Sequence, residues 1–202
     1  MLARFSLTRA LGSITLCLSL ALGLAGGAAA SGSAAPPEEP VPYDRSLYGG
    51  WTDPEGNCLN TRAEILVEFS TGPVHMRESG CSVDRGRWLD PYTDKIFTEA
   101  KDLDIDHIVP LAWAHARGGH SWSEERRRAF AIWRPNLIPV ESRANRQKGS
   151  DGPDKWLPPN VSYRCEYVLR FERIAREWQL TFRPVEAEVM ATLKDHYCSG
   201  RR

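Results

Sequence analysis

Four cysteines, Cys58, Cys81, Cys165 and Cys198, stand beyond an apolar N-terminal stretch, and they constrain the fold more than any other feature of the chain. An even number of cysteines in an exported protein favours disulfides, and four of them permit three connectivities. The expected pairing is Cys58 with Cys81 and Cys165 with Cys198, because each bridge then closes a loop within one end of the chain. Chain-entropy arguments put each bridge at roughly 3 to 4 kcal/mol. A tetrahedral zinc site is a poor alternative, since no two cysteines lie two to four residues apart.

Export is read from residues 1–30. Arg4 and Arg9 give a positive start, Leu11 to Leu24 an apolar run, and Ala28-Ala29-Ala30 a small-residue cleavage site, so a secretory signal is expected with cleavage near Ala30. The fifth cysteine, Cys17, follows Leu16 rather than a small residue, which disfavours a lipid anchor. The apolar run breaks at Gly26-Gly27, short of the roughly 20 residues a bilayer span needs, and no later segment qualifies. A secreted protein without a membrane span follows. Residues 31–42, SGSAAPPEEPVP, lack large apolar side chains and read as a disordered linker. Residues 43–202 are long enough for one ordinary domain.

The whole chain has 26 Lys+Arg and 26 Asp+Glu, which by itself does not announce a nucleic-acid partner. Without Arg4 and Arg9, 24 basic side chains remain against 26 acidic ones, a net charge of −2. The distribution is uneven: residues 101–150 carry 9 basic and 6 acidic side chains, whereas residues 31–100 carry 6 and 12. The middle of the chain is its basic part.

Asp53-Pro54-Glu55-Gly56 reads as a turn, and Thr61 with Glu64 fits a capping box that opens a short helix from Arg62 to about Glu68. Cys81 to Leu89 and Lys95 to Thr98 flank Asp90-Pro91-Tyr92-Thr93-Asp94 as strand, turn and strand. Apolar residues at three- and four-residue steps predict a helix from about Ser162 to Gln179, and Pro184 opens a second with Val185, Val189, Met190, Leu193 and Tyr197 on its buried face. The Cys165–Cys198 bridge then requires this pair to be antiparallel.

The chemistry concentrates between Asp102 and Ser150. DLDIDHIVP predicts a strand with Asp106 and His107 near its middle, and Leu137 to Val140 a second short strand in which Pro139 suits an edge. Ser142 would cap a short helix ended by Gly149, with Asn145 and Lys148 on one face. Strand, long excursion, strand and helix can bring Asp106, His107, Asn136 and Asn145 to one corner. Asp106 and Asn145 offer two oxygen ligands, few enough for a hydrated magnesium. His107, on the opposite strand face, could present a ring nitrogen to water.

DIDHIVP followed by Asn136 and Asn145 resembles the ββα-metal motif of the HNH nucleases. IDHIVPLAWA, the Arg128-Ala129-Phe130-Ala131 segment with Trp122, NRQKG and WLPPN are similar to secreted HNH proteins related to the C-terminal domain of GmrSD restriction endonucleases. The resemblance covers most of the mature chain. It implies an α+β fold: a ββα-metal core, N-terminal helix and hairpin elements, a C-terminal antiparallel helix pair and two disulfides. It implies that His107 is the general base, that Asp106 and Asn145 hold a divalent metal, Mg2+ or Mn2+, and that Asn136 orients His107. The family often has His where this chain has Asn145, and related sequences tend to carry Asn-Asp at Ile132-Trp133. The implied activity is phosphodiester hydrolysis of nucleic acid, DNA ahead of RNA, with low sequence specificity in so short a chain. Arg143, Arg146 and Lys148 are the phosphate-binding candidates. The alternative is a secreted binding module that keeps the HNH scaffold without turnover.

Other features read as structural. His75, His115, His120 and His196 match no part of the pattern and are expected on the surface or in loops. Asp102, Asp104 and Asp106 imitate the start of a calcium loop, but His107 and Trp113 stand where Gly and Glu are needed. The Arg126-Arg127-Arg128 run fits either a solvated helix face or a strand-binding surface. The tryptophans are expected mainly in the core, with Trp113 or Trp122 available for base stacking if exposed.

Overall fold

Residues 41–200 are described by a computed structural model, and they lie within one unit, Glu39–Arg202. The signal and all but the last two positions of the expected linker fall outside the described residues. The fold turns on a strand pair that is covered on both faces. Leu103–His107 (β4) runs antiparallel to Leu137–Glu141 (β5), with Leu103 opposite Glu141 and His107 opposite Leu137. Leu103, Ile105 and Leu137 pack into one apolar core, while Ile138 and Val140 pack into another. A sheet buried on both sides accounts for the lack of clean apolar-polar alternation in these segments. Pro139 sits opposite Ile105 on a strand that has a single neighbour, so its missing N–H breaks no further ladder.

The first core is closed by Thr61–Phe69 (α1) and a three-stranded antiparallel sheet of His75–Met76 (β1), Val83–Asp90 (β2) and Lys95–Glu99 (β3). Ile65, Leu66 and Trp88 are buried there, each stabilising by about 1.5–3 kcal/mol on the scale of side-chain transfer. Trp88 also donates Nε1–H to the Leu66 carbonyl at 2.7 Å. Gly86 is required beside it, because a Cβ there would stand 2.6 Å from the indole. The helix cap differs from expectation by one residue. Asn60, not Thr61, accepts the Ala63 N–H, and Thr61 instead donates its hydroxyl to the Thr52 carbonyl. Asp53 accepts the N–H groups of Asn57 and Cys58, closing the expected turn. Arg62 donates to the carbonyls of Ala100 and Leu103 and so fixes the entry to β4.

Between β4 and β5 the chain forms Leu111–His115 (α2) and Glu124–Ile132 (α3); Ser142–Lys148 (α4) follows β5 directly. Arg164–Glu177 (α5) and Pro184–Cys198 (α6) complete the second core, with Phe171, Ile174 and Met190 buried. Both expected disulfides are present, Cys58–Cys81 and Cys165–Cys198, and the latter ties the start of α5 to the end of α6. Among the described residues no helix is long and apolar enough to cross a membrane.

Two expectations about burial are corrected. Val185 is 62% exposed, and Glu186 takes its inward place because its carboxylate meets the Arg117 guanidinium in a bidentate pair, with Nε to Oε2 at 2.9 Å. His115 is buried, not superficial: it bonds to the Tyr48 hydroxyl at 3.1 Å and the Val41 carbonyl at 2.6 Å. A carbonyl only accepts, so Nε2 of His115 carries the proton. Trp113 and Trp122 are both core residues. The arginine run is engaged within the protein, Arg126 on the Trp178 carbonyl, Arg127 on that of Trp122 and Arg128 on Glu124.

Burial raises the Glu186 carboxyl, but the Arg117 and Arg183 hydrogen bonds and charges outweigh it and leave the group below its ordinary value of 4.5. A depressed carboxyl stabilises the fold fully above 4.5, and that contribution is lost as pH falls through the lower folded-state value. Urea midpoints of the native protein and Glu186→Gln should therefore differ at pH 7 and converge below pH 4.5. A gap that stays constant with pH would contradict the ion-pair account.

Candidate active site

Alternation along β4 divides its polar residues between two faces. Asp104 and Asp106 turn to α4, whose Ser142, Asn145 and Lys148 stand at three-residue steps and so share one side of the helix. Ser142 Oγ donates to Asp104 Oδ1 at 2.9 Å, and Asn145 Nδ2 donates to Asp104 Oδ2 at 3.2 Å. Lys148 Nζ donates to Asp106 at 2.9 Å and to the His107 carbonyl at 2.8 Å. Ser142 was expected to cap α4; its hydroxyl is held by Asp104 instead, and the helix starts without a side-chain cap.

Asp106 has a further partner from the hairpin between β2 and β3. Asp90 accepts the Tyr92 N–H at 2.9 Å and the Thr93 hydroxyl at 2.5 Å, a tight turn that drives Tyr92 fully into the core. There the Tyr92 hydroxyl donates to Asp106 Oδ2 at 2.6 Å. Burial pushes the Asp106 carboxyl up and the Lys148 ammonium down, and their mutual attraction opposes both shifts.

His107 faces the other way. Its Nε2 lies 2.8 Å from the Ala131 carbonyl at the end of α3. The carbonyl cannot donate, so Nε2 bears the hydrogen and Nδ1 keeps the lone pair in the neutral ring. Trp51 stacks on the imidazole at 5.4 Å between centroids and 11° between planes. Burial lowers the His107 pKa from 6.5 to about 3, with Arg45 and Lys148 adding to the shift and the Ala131 bond opposing it. The neutral imidazole is the resting form at every ordinary pH.

Among the described residues no hydrogen bond joins Asn136 to the His107 ring. Asn136 is wholly buried and holds the backbone that follows: Oδ1 accepts the Val109 N–H at 2.8 Å, Nδ2 donates to the Val109 carbonyl at 3.1 Å, and its own carbonyl accepts the Ile108 N–H at 2.9 Å. The partners of the imidazole are the Ala131 carbonyl and the Trp51 ring instead.

Asp106, His107 and Asn145 line one cleft of about 530 Å³, whose other walls include Tyr43, Arg45 and Trp51. Lys148 is corrected as a phosphate contact: it is 0% exposed, its charge already directed at Asp106. Arg143 and Arg146 are exposed on the far side of α4, and the arginine on the cleft wall is Arg45. Asp104 and Ala131 stood within the segments that carry the resemblance but were given no role there, and Arg45 had no place in it.

The donor set fits a hard, hydrated divalent cation. Asp106 Oδ2 is met by both the Tyr92 hydroxyl and the Lys148 ammonium, whereas Oδ1 has Lys148 alone and keeps a lone pair. With Nδ2 of Asn145 held by Asp104, Oδ1 is the amide end available for a ligand. One carboxylate and one amide oxygen beside an open cleft match the few protein ligands that magnesium takes. Among the described residues no group of three or more His, Cys, Asp and Glu could form a denser metal cage.

Comparisons with known proteins agree in direction. A family model described as "GmrSD restriction endonucleases, C-terminal domain" matches residues 77–193. A protein of Arthroderma benhamiae named "Uncharacterized secreted protein" is 33% identical over 153 residues, covering 75% of this chain and 74% of its own length. No solved structure matches.

Nitrogen-detected NMR of the histidine rings should find His107 neutral with its proton on Nε2 down to about pH 4. Replacing Lys148 by Met should destabilise the fold by about 3–5 kcal/mol in urea unfolding, since it strands a buried carboxylate. A cost below 1 kcal/mol would mean that Asp106 has no need of the ammonium.

Proposed function

The chain belongs to the family of GmrSD restriction endonuclease C-terminal domains, and on that premise we propose that it is a secreted, metal-dependent endonuclease that hydrolyses phosphodiester bonds in nucleic acid. The observation that carries the reading is the convergence of Asp106, His107 and Asn145 on one open cleft. In this reading β4, β5 and α4 act as the ββα-metal core of an HNH nuclease. Secretion is supported by the leader, by the two disulfides and by the name of the Arthroderma relative.

Asp106 and Asn145 would hold the cation, Mg2+ or Mn2+. Bound there, a divalent ion polarises the phosphate and neutralises charge on the departing oxygen. His107 Nδ1 accepts the proton of the attacking water, and the Ala131 carbonyl stabilises the imidazolium through Nε2–H. Arrival of an anionic phosphate raises the low resting pKa of His107 at the moment a base is needed. Trp51 covers one face of the ring and holds its plane. Arg45 supplies cleft charge for the strand, and Arg143 and Arg146 add to the surrounding potential. With few basic side chains near the cleft, binding is modest and sensitive to salt, and DNA or RNA is held with little sequence preference.

The secreted chain should nick plasmid DNA with magnesium or manganese and stop in EDTA. His107→Ala should lower the rate by about 10²–10⁴-fold. Unchanged activity in that variant would remove His107 from the mechanism. No turnover of DNA or RNA with either metal would favour the second reading, a nucleic-acid binding module on an HNH scaffold. One observation favours that alternative: Asp106 is already neutralised by Lys148 and bonded by Tyr92.

A further inference from the structure

Two large aromatic side chains line the cleft with Asp106 and His107, and they are differently committed. Trp51 lies flat on the His107 imidazole and packs against the first apolar core. Tyr43 is 42% exposed, and no ring among the described residues lies parallel to it: Tyr48 meets it at 45° and His115 at 70°, with centroids 6.0 and 5.5 Å away. A single exposed aromatic is ordinary on a protein surface, but two further features set this one apart. Its segment is held on both sides by one buried histidine, since His115 bonds the Val41 carbonyl at 2.6 Å and the Tyr48 hydroxyl at 3.1 Å. Arg45, two residues on, is exposed, lines the same cleft and enters no ion pair among the described residues. Burial raises the Tyr43 phenol while the Arg45 charge opposes the rise, and the same charge adds to the burial that lowers His107. The guanidinium is therefore within electrostatic reach of both rings.

We propose that Tyr43 is a stacking platform for an unpaired nucleobase next to the scissile phosphate, with Arg45 on the adjoining backbone phosphate, so that the preferred substrate is single-stranded nucleic acid. The inference rests on the nuclease reading for the strand's place in this cleft and goes beyond it in naming the form of the substrate. An aromatic face and a free guanidinium two residues apart match the alternation of base and phosphate along a strand. Every base has a π-face, so stacking of this kind carries little sequence preference. Inside a duplex both faces of a base are covered by its neighbours, and the base must be drawn out of the stack to reach a side chain. A single strand escapes that cost, which makes duplex the poorer substrate rather than an excluded one. The cleft volume of about 530 Å³ falls within the roughly 300–1,000 Å³ of pockets that enclose a small molecule, room for one nucleotide. Trp113 and Trp122, the residues that the sequence offered for stacking, are buried, and Tyr43 takes that role.

Binding at low salt in EDTA separates the inference from catalysis. Fluorescence anisotropy with a short single-stranded DNA and an abasic strand of the same length and charge should show the base-bearing strand held about tenfold tighter. Tyr43→Ala, with its fold checked by thermal unfolding, should abolish that difference, whereas Tyr43→Phe, which keeps the ring, should preserve it. Tyr43→Leu, which keeps apolar bulk against Tyr48 and His115 but offers no π-face, should act as Tyr43→Ala does. Arg45→Gln should weaken both strands alike, because its contact is to phosphate. On a blunt duplex Tyr43→Ala should cost no more than about twofold, since paired bases leave the ring unused. Equal affinity for base-bearing and abasic strands, a preference that survives Tyr43→Ala, or an equal loss on single strand and duplex overturns the proposal. An intact, Tyr43-dependent preference in a protein that cleaves nothing in magnesium or manganese would instead count against the nuclease reading and leave the stacking site standing.

Discussion

A buried ammonium and a buried carboxylate, Lys148 and Asp106, meet at 2.9 Å where three separate elements join. Neither charge is tolerable alone in that environment, so each fixes the other. Asp106 belongs to β4 and Lys148 to the last turn of α4. The Tyr92 hydroxyl arrives from the β2–β3 hairpin. The same ammonium binds the His107 carbonyl, which places the backbone of the catalytic candidate within this network. Loss of the pair would loosen strand, helix and hairpin together.

Strand alternation lets β4 serve two purposes with adjacent residues. Its acidic face is directed at α4, where Asp104 locks Ser142 and Asn145 while Asp106 locks Lys148. Its other face gives His107 to a carbonyl and an indole. The imidazole is thereby neutral and fixed in one tautomer, and the Asp106 carboxylate and the Asn145 side chain line the same cleft. The proposed base on one side and the proposed cation ligands on the other open on one cleft, which is the basis of the nuclease proposal.

The disulfides take no part in this network. Cys58–Cys81 closes the N-terminal part, and Cys165–Cys198 clamps the helix pair. They brace the two ends of the chain, while the central site is held by buried polar contacts. The cleft wall also draws on distant sequence. Tyr43, Arg45 and Trp51 enclose residues more than fifty positions later in the chain, and His115 secures their segment at Tyr48 and Val41.

Much of the fold was legible because local rules wrote it. Pro184 opens α6, the β2–β3 hairpin follows its Asp-Pro turn, the two bridges join the expected cysteines, and β4, β5 and α4 fall where apolar runs and Gly149 place them. Short-range errors arose where a competing partner lay far off in sequence. Ser142 abandoned its cap for Asp104, Val185 yielded the inner face to Glu186, and Lys148 turned from solvent to Asp106. By itself, then, the sequence determined the element order and the bridges and nominated His107, Asp106 and Asn145, since these depend on periodicity and residue chemistry. Only the tertiary structure decided which charges remain available to a substrate, which carbonyl sets the His107 tautomer, and that Trp51 and Arg45 stand at the cleft. Those outcomes depend on burial and on contacts between residues far apart along the chain, where spacing carries no information.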